Sequence, residues 1–525
     1  MKNKWQDQLH SLLNCDLKEL YPLARSMKRK LKFFVGPTNS GKTYAAMTEL
    51  KASNSGLYLA PLRLLALEGY EDLKKNNIDV SLITGEEQLF NEDAAHVCST
   101  IEMMDFDLDV DTAIIDEVQM LADIDRGWAW VNAIIGCPAS TIIMTGSVNA
   151  LEAIKKIAAY LEEDLEIVKF QRKNPLEVMT KHTSLNSLEP GTAIIAFSRA
   201  EVLKLKSRLN KKHKVSVIYG NLSPEVRRDE ARRFREGETS ILIATDAIAM
   251  GLNLPIKTIL FSNHKKFDGI SKRGLLVNEI VQLAGRAGRY GLHEVGYLGA
   301  TYKDTLEYIT EEFKKPVKTI KPPFNVKINN AQLESLASHL QTQSLTKVLS
   351  FFAKNMKFSG PFRAANISSM LSAAKIVDEK FNLKLEAKYL LAQAPMTTKS
   401  PLILQAYSTY IATVIKSKVS RYKPSITLPK KAVTTKDLLL VEDEIKKISL
   451  YLWLGHKMPE LFPDGIKAVL QRNVLNQFIE KSLQNTNLKE EFNKNRVNNK
   501  NKDYKRLDLN PRRRHRRREG SGPKF

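Results

Sequence analysis

The feature that most constrains the fold is a glycine-rich segment near the beginning of the chain. It matches the phosphate-binding pattern G-x-x-x-x-G-K-[ST] over the positions Gly36, Pro37, Thr38, Asn39, Ser40, Gly41, Lys42 and Thr43. An apolar run at 31–35 precedes it and a segment with helical spacing follows it, which predicts a strand, a turn and a helix in succession. Inward-pointing backbone N–H groups and the helix dipole then favour bound phosphates. We expect Lys42 to reach the terminal phosphates of a nucleotide and Thr43 to be a ligand of Mg²⁺.

An acidic pair follows a second apolar run. Asp116 and Glu117 come directly after 113–115, and the carboxyl end of a parallel strand faces the crevice where α/β sheets bind ligands. We expect Asp116 to belong to the Mg²⁺ shell and Glu117 to orient and deprotonate an attacking water. By itself such a pair is more often a solvated turn, but the phosphate-binding segment upstream favours the catalytic interpretation.

Phosphoryl transfer also needs positive charge against its transition state. Arg286 and Arg289 lie three positions apart in a glycine-broken segment further along the chain, so both could project into a cleft as arginine fingers. The alternative is a basic helix face that contacts solvent or RNA phosphate.

Short apolar runs alternate with helical segments up to about residue 300, a pattern typical of parallel sheets covered on both faces. The apolar spacing is helical after that. We therefore predict an α/β protein with a helical C-terminal half. Its expected parts are a helical N-terminal extension at 1–30, α/β domains at 31–165 and 166–310, a helical domain at 311–425, a C-terminal helical segment at 426–487 and a disordered basic tail at 488–525.

The net charge of the chain indicates which class of partner it binds. Lysine and arginine total 81 against 58 aspartates and glutamates, a net charge of +23, which favours a polyanion such as nucleic acid or an anionic membrane surface. The stretch 488–518 is basic and poor in apolar residues, and we favour an RNA tether there over a solvated end. The chain lacks a run long enough to predict a membrane span. Its first twenty residues do not resemble a targeting segment, so we expect a cytoplasmic protein.

Two further groups of residues have alternative interpretations. The arginines at 227, 228, 232, 233 and 235 alternate with acids on a predicted helix, which favours a salt-bridged solvent face over an RNA-binding ridge. Trp128 and Trp130 lie in a segment with helical spacing, where packing is favoured over a platform for stacking bases.

The motifs also form an ordered series. The phosphate-binding segment is followed by PLRLLA at 61–66, TGEE at 84–87, DEVQ at 116–119, TGS at 145–147, ATDAIAMGLNL at 244–254, KFDG at 266–269 and QLAGRAGRYG at 282–291. This series resembles superfamily-two helicases, and more narrowly the Suv-three RNA helicases of the mitochondrial degradosome, which also occur in bacteria. The resemblance extends loosely over 450–464. It leaves out the first 30 residues and the basic tail.

The resemblance implies two RecA-like domains that hydrolyse ATP with Mg²⁺ while moving along RNA. Other nucleoside triphosphates are expected to serve as well, because no adenine-reading motif precedes the phosphate-binding segment. It also implies 3′-to-5′ movement with duplex unwinding, a role in RNA turnover, action on DNA as well, and service to a 3′-exoribonuclease.

Residue roles also follow from the resemblance. Gln282 is expected beside the phosphates, together with the arginines of its segment. The residues expected to couple nucleotide state to the domain interface are Gln119, Thr145, Ser147, Asp246 and Gly251. The residues expected to contact the RNA backbone are Arg63, Thr100, Arg199 and Thr245.

Ala249 stands where we expect a glycine in the family. The rival hypotheses are a DNA helicase or translocase, which no residue excludes, and a non-catalytic RNA-binding scaffold with a silent motor. The scaffold hypothesis predicts a broken catalytic motif, whereas the phosphate-binding segment, the acid pair and the arginine pair are all intact.

Overall fold

The computed structural model describes residues 13–484 apart from 250, 251, 253, 269, 270, 289–292, 381, 398, 399, 429–431 and 433. Its N-terminal segment contains strand β1 (Asn14–Cys15), a 3-10 turn (Leu17–Leu20) and helix α1 (Pro22–Ser26). Leu17 is 1% exposed and belongs to the core of the domain that follows. The described part of the segment therefore packs on that domain, and the first twelve residues of the helical extension predicted at 1–30 lie outside the described residues.

The first sheet has eight strands in the order β5-β4-β6-β3-β7-β8-β2-β9, parallel except for β5. Its apolar runs are buried on both faces, as parallel sheets require. The strands are β2 (Lys30–Val35), β3 (Gly56–Ala60), β4 (Val80–Ile83), β5 (Gln88–Leu89), β6 (His96–Thr100), β7 (Val110–Ile115), β8 (Ala139–Gly146) and β9 (Leu165–Lys169). The α-helices of this domain are α2 (Lys42–Lys51), α3 (Arg63–Lys75), α4 (Gly127–Gly136) and α5 (Leu151–Leu161).

The second sheet has six parallel strands in the order β10-β17-β14-β11-β13-β12. They are β10 (Leu176–Val178), β11 (Thr192–Ile195), β12 (Val215–Ile218), β13 (Ile241–Ala244), β14 (Thr258–Phe261) and, after the hairpin β15 (Lys265–Phe267) and β16 (Lys272–Gly274), β17 (Gly296–Ala300). The helices are α6 (Arg199–Leu209), α7 (Pro224–Arg235), α8 (Val277–Ala284) and α9 (Lys303–Phe313). Ser198 and Ser223 cap α6 and α7 by accepting backbone N–H groups.

The C-terminal half is helical. Its helices are α10 (Asn330–His339), α11 (Leu345–Asn355), α12 (Ser368–Lys380), α13 (Leu385–Ala392), α14 (Pro401–Ile415), α15 (Thr435–Lys457) and α16 (Gly465–Gln484). Three short strands interrupt the predicted all-helical domain, because extended segments pair beside the first domain: β18 (Phe324–Val326), β19 (Lys357–Phe358) and β20 (Phe362–Ala364). β18 pairs with β20, and β19 pairs with β1 of the N-terminal segment.

The predicted boundary between the two α/β domains is displaced. We expected the second domain to begin at residue 166, but β9 pairs along its whole length with β2 and so completes the first sheet. The tail predicted at 488–525 lies outside the described residues.

One hydrophobic core belongs to two parts of the chain. Val217 lies in β12, the edge strand of the second sheet, and Tyr219 follows that strand. Both are buried in the same cluster as Tyr407 of α14 and Tyr451 of α15. Phe462, which precedes α16, is 2% exposed and lies edge-on to Tyr451. The last helices therefore cover one face of the second α/β domain. Among the described parts of 13–484, no helix is both long and apolar enough to cross a membrane.

Candidate nucleotide site and strand-contact residues

The phosphate-binding segment forms a tight turn between β2 and α2. Asn39 and Gly41 have left-handed backbone conformations, with φ of 61° and 89°, and α2 begins immediately after Gly41. A Cβ atom on Gly36 would lie 2.4 Å from the carbonyl oxygen of Phe170, so a side chain there requires the backbone to move. The glycines of the pattern thus permit the turn that presents the start of α2 to a ligand.

Lys42 lies beneath this turn. Its Nζ donates to the carbonyl oxygen of Pro37 at 2.6 Å. Burial lowers the pKa of Lys42, and the nearby carboxylates of Glu117 and Asp116 partly offset that effect. A charged lysine in this position is short of acceptors, which phosphate oxygens would supply.

Asp116 is at the centre of the site, at the carboxyl end of β7. Its carboxylate accepts hydrogen bonds from Thr43 Oγ1 at 3.3 Å, from Tyr58 Oη at 3.1 Å and from Thr145 Oγ1. It is 2% exposed. Burial, followed by the charge of Glu117, raises the pKa of Asp116 to about 6. A bound cation would favour the ionised form.

The donor set at this point suits Mg²⁺. The hydroxyl oxygen of Thr43 and a carboxylate oxygen of Asp116 lie 3.3 Å apart at the start of α2. Oxygen ligands of this kind are the ones that Mg²⁺ takes, usually from one or two protein groups plus phosphates and water. Within the described residues, no group of three or more histidine, cysteine or acidic side chains forms an all-protein metal site. The chemistry therefore fits a metal ion that arrives with its nucleotide.

Glu117 is held in an unusual conformation and by a specific partner. Its φ of 57° places it in the left-handed region, which is costly for a residue other than glycine and is common at functional sites. Gln119 donates from Nε2 to the carboxylate of Glu117. The same amide accepts through Oε1 the backbone N–H of Ser147 at 3.2 Å. Gln119 thus links the candidate base to the segment after β8.

Arg286 reaches the same site from the second domain. It lines a cavity of about 410 Å³ together with Thr43, Asp116 and Glu117. Its Nε donates to the carbonyl oxygen of Ala249 at 2.9 Å. Burial lowers the pKa of Arg286, an effect that the carboxylates at 116 and 117 partly offset. Arg289 and Gly251, which we also predicted as site residues, lie outside the described residues.

The cleft between the domains is narrow at the phosphate-binding turn. Asn39 Nδ2 donates to the carbonyl oxygen of Gly285 at 2.8 Å. A Cβ atom on Gly285 would lie 2.7 Å from Cβ of Thr38, so glycine allows this close approach. Arg172, in the connection between the sheets, donates from Nη1 to the same carbonyl at 2.9 Å. The turn and the segment that carries Gly285 and Arg286 are therefore in direct contact.

Two other predicted residues lie on this side of the second domain. Gln282 is half-buried on α8, four positions before Arg286. Asp246 accepts a hydrogen bond from Lys266 Nζ at 2.8 Å, and Lys266 also pairs with Glu279 of α8 at 2.9 Å. Lys266 thus connects Asp246 to α8, the helix that precedes Arg286.

The residues predicted to contact the RNA backbone fall into two groups. Thr100 and Thr245 are 7% and 8% exposed, and each ends or follows a strand of its sheet. Arg199 donates from Nε to Glu442 of α15 at 2.9 Å and from Nη2 to the carbonyl oxygen of Thr435 at 3.0 Å. The structure therefore places Arg199 in a partly buried contact with the C-terminal helices.

Arg63 lies at the start of α3 and pairs through Nη1 with Glu86 at 2.7 Å. Ala247, two positions after Thr245, lines the same interdomain cavity as Arg63. Arg63 and the Thr245 segment are thus brought together, whereas Arg199 is not.

The structure also defines the surroundings of the α7 arginines and of the two tryptophans, for which the sequence allowed two interpretations. Arg232 pairs with Asp229, Glu236 and Glu238, which is the predicted salt-bridged face of α7. Arg228 instead pairs with Glu71 of the first domain at 2.8 Å. Trp130 is fully buried, and Lys327 Nζ lies 4.5 Å from the centre of the Trp128 ring.

Sequence reasoning missed three residues that shape the site. Tyr58 donates to Asp116, Trp130 donates from Nε1 to the carbonyl oxygen of Asp116 at 2.8 Å, and Arg172 donates to the carbonyl oxygen of Gly285, next to Arg286. Tyr58 lies in an apolar run, and the segment around Trp130 favours packing; neither pattern predicts a hydrogen bond to Asp116. Their polar atoms gain a role only through neighbours 58 and 14 positions away along the chain.

Three protein-family models match the chain. The DEXQ-box helicase domain of Suv3 matches residues 18–170, the helicase conserved C-terminal domain matches 175–291, and the C-terminal domain of the ATP-dependent RNA helicase SUV3 matches 438–485. The first match includes most of the N-terminal segment that packs on the first domain.

Similar full-length proteins include three helicases. The DExH-box ATP-dependent RNA helicase DExH16 of Arabidopsis thaliana is 34% identical over 89% of this chain and 83% of its own length. SUV3 of Candida albicans is 33% identical over 91% of this chain and 71% of its own length. SUPV3L1 of Mus musculus is 31% identical over 89% of this chain and 62% of its own length.

All three names carry the designation mitochondrial. This finding overturns our prediction of a cytoplasmic protein. That prediction used only the lack of a recognisable targeting segment as its basis, and such a lack is weak support for a compartment.

The sequence motifs, the two parallel sheets and the matched domains agree with one another. Thr43 at the end of the phosphate-binding segment, the acid pair and Arg286 line one cavity between the sheets. The chain belongs to the Suv3 family of ATP-dependent RNA helicases.

Proposed function

We propose that the chain hydrolyses ATP in the cleft between its sheets and converts each cycle into a 3′-to-5′ step along single-stranded RNA. The observation that supports this proposal is the cavity of about 410 Å³ where Thr43, Asp116 and Glu117 meet Arg286. Groups for binding, for activating water and for stabilising negative charge thus converge from two domains.

Each residue has a distinct proposed role. Lys42 binds the terminal phosphates. Thr43 and Asp116 would hold Mg²⁺, which would neutralise charge on the phosphates. Glu117 orients the attacking water and accepts its proton, and Gln119 keeps the carboxylate of Glu117 in place.

We infer that nucleotide binding closes the cleft and hydrolysis opens it. The contact between Asn39 and Gly285 is the point at which the phosphate-binding turn touches the second domain. Ser147 follows β8 and is connected through Gln119 to Glu117. These contacts would pass the state of the nucleotide from Glu117 to Ser147 and from the phosphate-binding turn to the second domain.

The decisive experiment is steady-state ATP hydrolysis by the wild type and by Glu117→Gln, without nucleic acid and then with single-stranded RNA or DNA. We expect RNA to stimulate the wild type and the variant to lose hydrolysis by a factor of about 10² or more. Glu152→Gln is the matched control, because Glu152 is an exposed carboxylate on α5 paired with Lys155. Its activity should equal that of the wild type.

The result also separates the rival hypotheses. Stronger stimulation by DNA than by RNA would favour the DNA translocase, and absence of hydrolysis under every condition would favour the silent scaffold. A duplex with a 3′ overhang should be unwound and one with a 5′ overhang should not; the reverse would overturn the proposed polarity. A 3′-exoribonuclease partner and the use of other triphosphates stay predictions of the resemblance.

A further inference from the structure

A short connection joins the two α/β domains and touches both sides of the nucleotide site. It runs from the end of β9 to the start of β10. The backbone N–H of Phe170 donates to the carbonyl oxygen of Val35 at 2.8 Å, directly before the phosphate-binding turn. Two positions later, Arg172 reaches the segment 285–288 of the second domain. The connection is therefore in contact with the strand that carries the turn and with the residues around Arg286.

Arg172 donates to backbone carbonyl groups on both sides of Arg286. Its Nη1 donates to the carbonyl oxygen of Gly285 at 2.9 Å, and its Nη2 donates to that of Ala287. Nη2 also donates to the carbonyl oxygen of Gly288 at 3.4 Å. The planar guanidinium presents its N–H donors in fixed directions, so it can satisfy several carbonyl groups at once. Arg172 thus fixes the backbone from which the Arg286 side chain extends.

The surroundings of the guanidinium favour this one arrangement. Nε of Arg172 donates to the carbonyl oxygen of Asn174 at 2.7 Å, which anchors the side chain to its own connection. Asn174 Nδ2 in turn donates to the carbonyl oxygen of His293 at 2.6 Å. Gly288 has a φ of 66°, and a Cβ atom there would lie 3.0 Å from Arg172 Nη2. Glycine at this position therefore allows the guanidinium to approach the backbone closely.

Arg172 binds these carbonyl groups without a carboxylate partner. Among the described residues, every hydrogen-bond acceptor of its guanidinium is a backbone carbonyl oxygen. Burial lowers the pKa of Arg172, whereas the carboxylates at 116 and 117 partly offset the same effect for Arg286. A partly buried cation without a paired anion has a cost in free energy. The guanidinium therefore serves its carbonyl acceptors and not a salt bridge.

We propose that Arg172 is a positioning residue for hydrolysis: by holding the carbonyl groups at 285 and 287, it sets the reach of Arg286 into the nucleotide cavity. The Gly285 carbonyl oxygen also accepts from Asn39 of the phosphate-binding turn at 2.8 Å. One carbonyl group thus joins the turn, the connection and the Arg286 segment. A change in the angle between the domains moves the connection and, through Arg172, the position of Arg286. This inference rests on the proposed function.

The first test is hydrolysis of ATP at saturating RNA by Arg172→Gln. We expect kcat to fall by a factor of about 10 to 100, because a misplacement of about 1 Å has an effect of this size. Arg172 is not among the residues that line the nucleotide cavity, so the KM for ATP should stay within about twofold of the wild type. Arg208→Gln removes an equal charge from an exposed position of α6 and should change neither quantity. A wild-type kcat in Arg172→Gln would overturn the proposal.

A double-mutant cycle separates positioning from a general structural role. If Arg172 acts through Arg286, the variant Arg172→Gln/Arg286→Gln should have the kcat of Arg286→Gln alone, because the side chain that Arg172 positions is already absent. A purely structural role, or a separate contact with the nucleotide, predicts that the two losses multiply. Multiplied losses would overturn the proposal. Single-turnover hydrolysis with the enzyme in excess keeps the slow variants measurable.

Arg172→Lys tests whether the geometry or the charge of the side chain matters. Lysine keeps the positive charge but lacks the planar set of donors, so kcat should fall nearly as far as in Arg172→Gln. A kcat near the wild-type value would show that charge is sufficient and would contradict positioning. If Arg172→Gln does not fold, as judged by circular dichroism, Arg172→Lys and Arg172→Lys/Arg286→Gln complete the same cycle.

The same measurements distinguish failure of this inference from failure of the proposed function. If RNA does not stimulate hydrolysis by the wild type, or if Arg286→Gln has a normal kcat, the proposed function is overturned and this inference with it. If kcat is lost in Arg286→Gln and normal in Arg172→Gln, only the positioning role of Arg172 is overturned.

Discussion

At the scale of single residues, the site combines residues that the sequence motifs predict with residues whose hydrogen-bond partners the motifs do not predict. Lys42, Thr43 and Asp116 follow from a spacing pattern and from the rule that strands of a parallel sheet end at one edge. Tyr58 and Trp130 could not be predicted, because their hydrogen bonds to Asp116 depend on the order of strands in the sheet and on the packing of α4.

Gly285 gives a prediction at this scale. Since an added Cβ atom would lie 2.7 Å from Cβ of Thr38 and 3.1 Å from the carbonyl oxygen of Val281, Gly285→Ala should hold the cleft open. We expect ATP turnover to fall by a factor of about 10 to 100, with a smaller effect on nucleotide binding.

Steady-state hydrolysis and fluorescent-nucleotide binding would measure these two effects. Gly465→Ala is the control, because a Cβ atom there meets nothing within 4 Å. Normal turnover in Gly285→Ala would show that this contact does not limit closure.

At the scale of elements, α6 carries a lysine on its buried side. Lys206 is 3% exposed, and its Nζ has no hydrogen-bond partner among the described residues. Burial lowers the pKa of Lys206 to about 8, although Glu230 partly opposes the shift. Below pH 8 the folded protein therefore holds a buried charge at a cost in stability.

Lys206→Met should consequently raise the melting temperature, by about 2 °C or more at pH 7. Between pH 8 and about 10.4 the unfolded chain binds the proton that the folded protein has released. The free energy of unfolding of the wild type therefore rises with pH relative to that of the variant. The difference in melting temperature should thus shrink towards pH 10.

Lys204→Met, at an exposed position of the same helix, should leave the melting temperature nearly unchanged. A difference for Lys206→Met that stays constant from pH 7 to pH 10 would contradict titration of Lys206 as its cause.

Whether a segment forms a strand or a helix was easier to predict than the sheet or domain to which it belongs. The strands of both sheets follow apolar runs, and the start of α7 follows from Ser223 as its cap and Pro224 at its first turn. The assignment of β9 to the first sheet could not be predicted, because pairing with β2 joins segments about 130 residues apart. The same holds for Arg199, whose partner Glu442 lies 243 positions further on.

At the scale of the whole molecule, the second α/β domain and the C-terminal helices share a core. Glu442 of α15 is fully buried and accepts hydrogen bonds from Arg199 Nε at 2.9 Å and Tyr219 Oη at 2.8 Å. Asn476 of α16 lies beside α7, where it accepts from Ser223 Oγ at 2.8 Å. The last helices are therefore structural parts of the motor.

Deletion of 434–484 should accordingly destabilise the second domain and not merely weaken RNA binding. Removing the helices exposes the apolar face around Tyr219 and Val226, at roughly 25 cal/mol for each Å² of apolar surface. We expect an aggregating protein whose remaining soluble fraction binds a hydrophobic dye. Deletion of 488–525 is the control for chain length. A soluble, cooperatively unfolding protein after the larger deletion would contradict the shared core.

The shared core also implies a delay during synthesis, because its two parts are made at different times. The second sheet ends at Ala300, and α15 begins at Thr435. At about 5–20 residues per second on the ribosome, roughly 10 to 30 seconds pass before the covering helix has been made. During this interval the nascent chain exposes the apolar side of its second domain that the last helices later cover, a surface that a chaperone specific for apolar segments would bind.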